Sequence, residues 1–150
     1  MKLSRNSHRT IEIYFREFLR DESFSLPLTH FYAGNLSKFV TLFLKINGIT
    51  IGRRVLVLPE LVSLNRNNQK KLPEDLVVHE IMHVIQYKKV GFVKFLYKYL
   101  LDYWVNLRKK EKWNAASRRT AYLEIPFEIE ARDAAQKFLE WKEKRKIEMK

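Results

Sequence analysis

Val78 to Gln86 reads VHEIMHVIQ, with two histidines four residues apart and a glutamate directly after the first. On an α-helix, positions i and i+4 lie one above the other, so His79 and His83 can each aim an imidazole nitrogen at one metal ion. Glu80 then stands where a carboxylate can handle a water in the open coordination position. In a chain of 150 residues with four histidines, an HExxH arises by chance with a probability of roughly one per cent. Val77, Val78, Ile81, Met82, Val84 and Ile85 make the rest of the stretch apolar, which predicts a helix buried behind a metal site. Histidines that are merely hydrogen-bonded or exposed are the plainer reading, and two of them with a carboxylate on so apolar a helix weigh against it.

Working outward, Pro73 followed by Glu74 and Asp75 suits a first helical turn, and Gly91 suits its end, so this helix is predicted over about 73 to 89. Beyond Gly91, FVKFLYKYLLDYWVNLRKKEKW predicts a second helix over about 92 to 112 with a broad apolar and aromatic face. That face is read first as core, and contact of its basic end with a membrane surface second. Asn114 to Thr120 is read as a polar, basic break. Phe127, Ala131, Ala134, Ala135, Phe138 and Trp141 then trace a last helix over about 126 to 145, with residues 141–150 as a charged, fraying tail.

Upstream, Ile11, Phe15, Phe18 and Leu19 recur at helical spacing and predict an amphipathic helix over about 7 to 22. Ser25 to Leu36, which holds His30, reads as a loop around Pro27, Gly34 and Asn35. From Lys38 to Ile46 the pattern is strand-like, and Asn47-Gly48 followed by ITIGRRVLVLP predicts a hairpin, with a helix over Ser37 to Ile46 as the competing reading. Arg53 to Leu58 is a strand closed by Pro59, and Leu61 to Lys71 a polar loop. The expected fold class is α+β with a small sheet inside 38 to 58, in one domain over 1–150 whose core spans about 38–140.

Composition narrows the chemistry. With 46% hydrophobic and 13% aromatic residues the chain can bury a real core. It has no cysteine, which excludes disulfides and thiolate zinc sites and leaves His and carboxylate as ligands. No apolar run reaches the roughly 18 residues that span a bilayer, and no apolar segment follows the basic N-terminus, so a cytoplasmic protein, soluble or peripheral to a membrane, is expected. The net charge of +12 divides into +4 over residues 1–87 and +8 over 88–150. Such a surface suits nucleic acid, an anionic membrane or acidic proteins, or serves solubility alone.

A catalytic zinc site generally needs a third protein ligand. His8 and His30 lie upstream, and Lys89 and Val90 stand where an extended histidine motif would need its third histidine. A carboxylate is the better candidate. Glu128 and Glu130, in PFEIEARDAA, sit in an apolar, alanine-rich setting in which Ala131 permits close approach to the motif helix. Residues two apart on a helix point about 200° apart, so only one of them can face the metal.

HExxH with a glutamate on a later helix resembles the gluzincin metallopeptidases, and their E-x-x-A pattern maps onto Glu128. More closely, the chain resembles a bacterial family of small HExxH domains. These share a strand with T-x-G-R, then HE-x-x-H-x-x-QY, a glycine-led aromatic helix and a final P-x-E-x-EA segment. The resemblance covers about residues 49 to 135. It implies a compact zincin-like core of small sheet, active-site helix and glutamate helix, with Zn²⁺ on His79, His83 and Glu128. Gluzincins often carry Asp or Asn four residues after the ligand glutamate, whereas this chain has Arg132, so Glu130 stays open as the alternative.

The expected function is therefore a zinc metallopeptidase acting on a peptide or protein substrate, with Glu80 as general base. Tyr122, just ahead of the glutamate segment, is the candidate oxyanion stabiliser. The strand Arg53 to Leu58, if it forms the sheet edge, can hold an extended substrate by β-addition. The alternative is a catalytically inactive zincin-fold binding module that uses its basic C-terminal half on nucleic acid or an anionic membrane.

Overall fold

The computed structural model describes residues 1–44, 47–64 and 70–148. Its elements are α1 (Arg5–Leu19), β1 (His30–Tyr32), α2 (Asn35–Leu44), β2 (Gly48–Ile51), β3 (Arg54–Val57), β4 (Ser63–Leu64), β5 (Lys70–Lys71), α3 (Glu74–Val90), α4 (Phe92–Arg108), α5 (Ala115–Leu123) and α6 (Pro126–Glu148). The fold class is α+β, as expected.

The HExxH stretch lies on α3. Glu74 and Asp75 occupy its first turn and Lys88 and Lys89 its last, each charge complementing the nearer end of the helix dipole. Gly91, at φ 84°, stops it while donating its N–H to the Tyr87 carbonyl. Between these ends α3 is buried on nearly every side, packed against α6 on one flank and β2 on the other. Ala131, Ala134 and Ala135 are the buried residues of α6 that let it approach this closely.

α1 begins at Ser4, whose hydroxyl accepts the Ser7 N–H, and ends at Arg20 in the left-handed conformation. Ile11, Tyr14 and Phe15 bury its inner face, and a single side chain such as Phe15 contributes about 2 to 3 kcal/mol on burial. The Tyr14 hydroxyl donates to the Ala134 carbonyl at 2.6 Å, and its ring meets Phe138 and Trp141 edge-on. The packed core thus extends to α1 and to Trp141, beyond the expected 38–140. Residues 141–148 continue α6, with Trp141 and Arg145 both bonded to Glu17, where a fraying tail was expected.

The main sheet has the order β1-β3-β2, with β1 parallel and β2 antiparallel to β3. The expected hairpin across Asn47-Gly48 does not form. Residues 35–44 are the helix α2, the competing reading, and residues 45 and 46 of the expected first strand lie outside the described residues. The Ser37 hydroxyl accepts the Gly34 N–H at 2.6 Å and pins the first turn of α2. The hairpin lies instead within ITIGRRVLVLP and turns at Gly52, whose φ of 64° suits the first central position of a type II′ turn.

Three segments expected to be irregular are ordered. The loop Ser25 to Leu36 contains β1, which pairs with β3. The flanks of Leu61 to Lys71 pair as the ribbon β4-β5, its residues 65–69 lying outside the described residues. Asn114 to Thr120 opens α5, because the Asn114 side chain caps it by accepting the Ser117 N–H at 2.9 Å. Arg53 to Leu58 forms a strand, β3, but at the centre of the sheet and not at its edge.

The edge beside α3 is β2. The Leu58 N–H bonds the Asn47 carbonyl at 2.9 Å, so the antiparallel alternation turns the backbone N–H and C=O of Gly48 and Thr50 away from β3.

Candidate metal centre

α3 and α6 cross so that His79, His83 and Glu128 meet. His79 Nε2 lies 3.3 Å from Glu128 Oε2, and His83 Nε2 lies 3.2 Å from Glu128 Oε1. Their candidate ligand atoms all fall within 4.8 Å of one another. Glu128 is buried, and His79 is the most open of the three. Glu130 points elsewhere: it is exposed and accepts the Gln86 amide through Oε2 at 2.8 Å. His30, on β1, lies outside the group.

Glu128 is held from behind by two phenols. Tyr99 donates to Oε1 and Tyr122 donates to Oε2, each at 2.8 Å. Burial pushes both phenols up, and the Glu128 charge adds to it, so both stay protonated donors. Tyr122 is therefore brought to the site, but with its hydroxyl committed to the carboxylate of Glu128.

Gln86, one turn beyond His83, orients the imidazole. Its Nε2 donates to the Phe127 carbonyl at 3.0 Å and to Glu130, so its Oε1 faces His83 Nδ1 at 2.8 Å. Nδ1 must then carry the hydrogen, and the Nε2 lone pair is aimed at Glu128.

This donor set fits a cation. A neutral His83 and an ionised Glu128 meet lone pair to lone pair, an arrangement that a positive charge between them relieves. For metal–ligand bonds of about 2.0–2.1 Å, the ligand atoms of a tetrahedral ion stand about 3.3 Å apart, and each histidine lies at about that spacing from one of the two Glu128 oxygens. Protons on the imidazoles supply the same kind of positive charge: burial pushes the Glu128 carboxyl up, but hydrogen bonds and charge from protonated His79 and His83 outweigh it and hold the group well below the carboxylate range. Burial disfavours the His83 imidazolium, and Glu128, then Glu80, more than restore it.

Glu80 lies on the side of α3 that faces β2. Its Oε2 accepts the Thr50 hydroxyl at 2.6 Å, and its Oε1 lies against Gly48. Burial raises the affinity of this carboxyl for a proton, and the charges of His83 and His79 only partly offset it. Beside it the Tyr87 hydroxyl donates to the Thr50 carbonyl and ties the strand edge to α3. Behind the site, Phe95, Ile125 and Phe127 form an apolar wall, with Phe95 stacked on Phe127 at 4.3 Å between ring centroids.

Sequence reasoning named His79, Glu80, His83, Glu128 and Tyr122. It gave no role to Thr50, Gln86, Tyr87 or Tyr99. Gln86 carried a usable signal, since three residues past a ligand histidine on a helix is the same face. Thr50 stands in the recurring T-x-G-R segment but received no role from it, and Tyr99 carried no signal, because it arrives from α4. Comparison of the chain with protein families, characterised proteins and solved structures gives no match.

Proposed function

We propose that the chain is a zinc metallopeptidase with a zincin-like core, in which His79, His83 and Glu128 hold the ion. The observation that carries this reading is the convergence of two imidazole Nε2 atoms on one buried carboxylate, with Glu80 buried alongside. Zinc bound there supplies Lewis acidity, polarising a carbonyl and lowering the pKa of water toward about 7.

The remaining work falls to the chain's own groups. Glu80 takes a proton from the attacking water as the new C–O bond forms, and returns it to the amine nitrogen as the C–N bond breaks. The Thr50 hydroxyl fixes the carboxylate for both transfers. Gln86 keeps His83 in the tautomer that leaves Nε2 free, and Tyr99 and Tyr122 hold Glu128. The substrate is a peptide or protein segment in extended form, paired along β2. Its partners there are the outward N–H and C=O of Gly48 and the N–H of Thr50, next to Glu80.

Metal analysis and a cleavage assay on the purified protein test the reading. One equivalent of zinc and chelator-sensitive hydrolysis of unstructured peptides are expected. Glu128→Ala loses the metal and Glu130→Ala keeps it, and the reverse outcome moves the ligand to Glu130. Protein that takes up no metal when zinc is supplied and cleaves no peptide leaves the inactive binding module in its place.

A further inference from the structure

We propose that α4 and its flanking basic residues form a docking surface for an anionic lipid bilayer. α4 has two apolar faces, and the fold uses only one. Phe95, Tyr99 and Asn106 turn inward: Phe95 is buried, Tyr99 reaches Glu128, and the Asn106 amide donates to the Ala121 carbonyl. On the opposite side Val93, Tyr97, Leu100 and Trp104 recur at a four-three-four spacing. Val93 is 79% exposed, Leu100 57% and Trp104 47%. Leu96, Leu101 and Val105 widen this stripe and are exposed as well. It continues into the loop before α5, where the Trp113 ring meets Trp104 edge-on at 5.3 Å. Scattered exposed apolar side chains are ordinary, but a continuous helical stripe of them marks an interaction site.

Charge identifies the occupant. Residues 88–119 hold ten lysines and arginines against two acids, while residues 120–150 hold seven of each. The basic surplus of the C-terminal half therefore lies in the stretch of chain that carries this stripe. Lys88 and Lys89 lie at one end, Lys94 and Lys98 along the flank, and Arg108 and Lys109 at the other end, all exposed. An apolar stripe with tryptophan and tyrosine, framed by lysines whose stems extend outward, is the pattern of a helix lying in the plane of a bilayer interface. Anionic headgroups meet the lysines while acyl chains receive the aliphatic residues. Nucleic acid would satisfy the lysines and leave Val93, Leu96 and Leu100 without partners, since it offers phosphates and flat bases. A second copy would bring two such basic surrounds face to face. Among the described residues no helix is long and apolar enough to cross a membrane, so the contact is one of surface and not of span.

The test is co-sedimentation of the full chain with vesicles of phosphatidylcholine, with and without phosphatidylglycerol, while tryptophan emission is followed. Binding to the anionic vesicles alone, with a blue shift, is expected. Lys94→Glu/Lys98→Glu weakens it on the order of 10-fold or more. Leu100→Ser/Trp104→Ser weakens it to a similar degree, and both variants keep the far-ultraviolet dichroism of the parent because the replaced side chains are exposed. Four results overturn the proposal: no binding to anionic vesicles at low salt; binding undiminished in Leu100→Ser/Trp104→Ser; a dimer in light scattering that those substitutions dissolve; or retention by DNA with vesicles ignored. None of these readouts depends on metal or hydrolysis, so the proposal stands or falls apart from the peptidase reading.

Discussion

Gly48 and Glu80 are in such close contact that a β-carbon at position 48 would lie 2.5 Å from Glu80 Oε1 and 3.0 Å from its carboxyl carbon. The strand edge and the motif helix approach as nearly as a bare backbone allows, and the carboxylate fills the gap. On its other oxygen it is pinned by the Thr50 hydroxyl. Two consecutive outward positions of one edge strand thus fix one carboxylate, Gly48 by having no side chain and Thr50 by donating to it.

Gly48→Ala separates this positioning from metal binding. The alanine methyl group must displace a carboxylate that is buried and held, at about 1–3 kcal/mol of overpacking. Urea denaturation should show that loss. Peptide hydrolysis should fall while the zinc content, which rests on His79, His83 and Glu128, stays at one equivalent. Turnover equal to that of the parent chain would mean that the position of Glu80 does not matter to the reaction.

Tyr99→Phe and Tyr122→Phe ask what the two phenols do. Each donates to a different oxygen of Glu128, and removing a group that orients a metal ligand typically costs 10- to 100-fold in metal affinity or activity. Both variants should bind zinc more weakly in a competitive chelator titration, and to similar extents. If Tyr122→Phe leaves affinity unchanged while kcat alone falls, Tyr122 acts on the substrate as an oxyanion stabiliser.

What the sequence disclosed follows the range of the forces involved. α3 was legible because its signals are local: the 79/83 spacing, acids at the start, Gly91 at the end. α6 was legible from the alanine and aromatic spacing of Ala131, Ala134, Ala135 and Phe138. The run FVTLFL before Lys45 has neither a clean period of two nor one of 3.6, so short-range pattern could not choose between strand and helix. β1 is three residues long and exists only because β3 pairs with it. Thr50 and Tyr99 reach their carboxylates across 30 and 29 residues of sequence, a relation no local motif encodes. In α4 both faces are apolar, and only the packing of Phe95 and Tyr99 reveals which one is covered. The phenols and the threonine are therefore properties of the fold, whereas the histidines are properties of the string.

A pH experiment tests how α3 is anchored to α6 away from the site. Glu74 pairs with Lys142. Burial pushes the Glu74 carboxyl up, but the hydrogen bond and charge of Lys142, with Lys71 assisting, outweigh it and leave the group lowered. A folded-state value below the unfolded one contributes stability that is fully present above the unfolded value, about 4.3. That contribution is lost as pH falls through the folded value. Glu74→Gln should therefore be less stable than the parent at pH 7, and the gap should close as the pH is taken below about 4. A gap that stays constant over that range would show that the pair contributes through packing alone.

Glu80→Gln bears directly on mechanism. The residue follows His79 by one position, about 100° further around the helix, and the fold uses that rotation to turn it toward β2 while His79 faces Glu128. It thus stands beside the metal group without being one of its three members. Glutamine has nearly the same shape, and its carbonyl can accept the Thr50 hydroxyl as the carboxylate does, so fold and zinc content should be retained. What it cannot do is take a proton from water and pass it to the leaving amine. Hydrolysis should fall on the order of 10²-fold or more, the contribution of a general base. Thr50→Val, which keeps the branched shape and removes only the hydroxyl, should give a smaller loss with zinc again unchanged. His79→Ala, by contrast, should lose metal and activity together. Zinc-loaded Glu80→Gln that cleaves the same peptide at the parent rate would remove Glu80 from the mechanism, and the peptidase reading would fail with it.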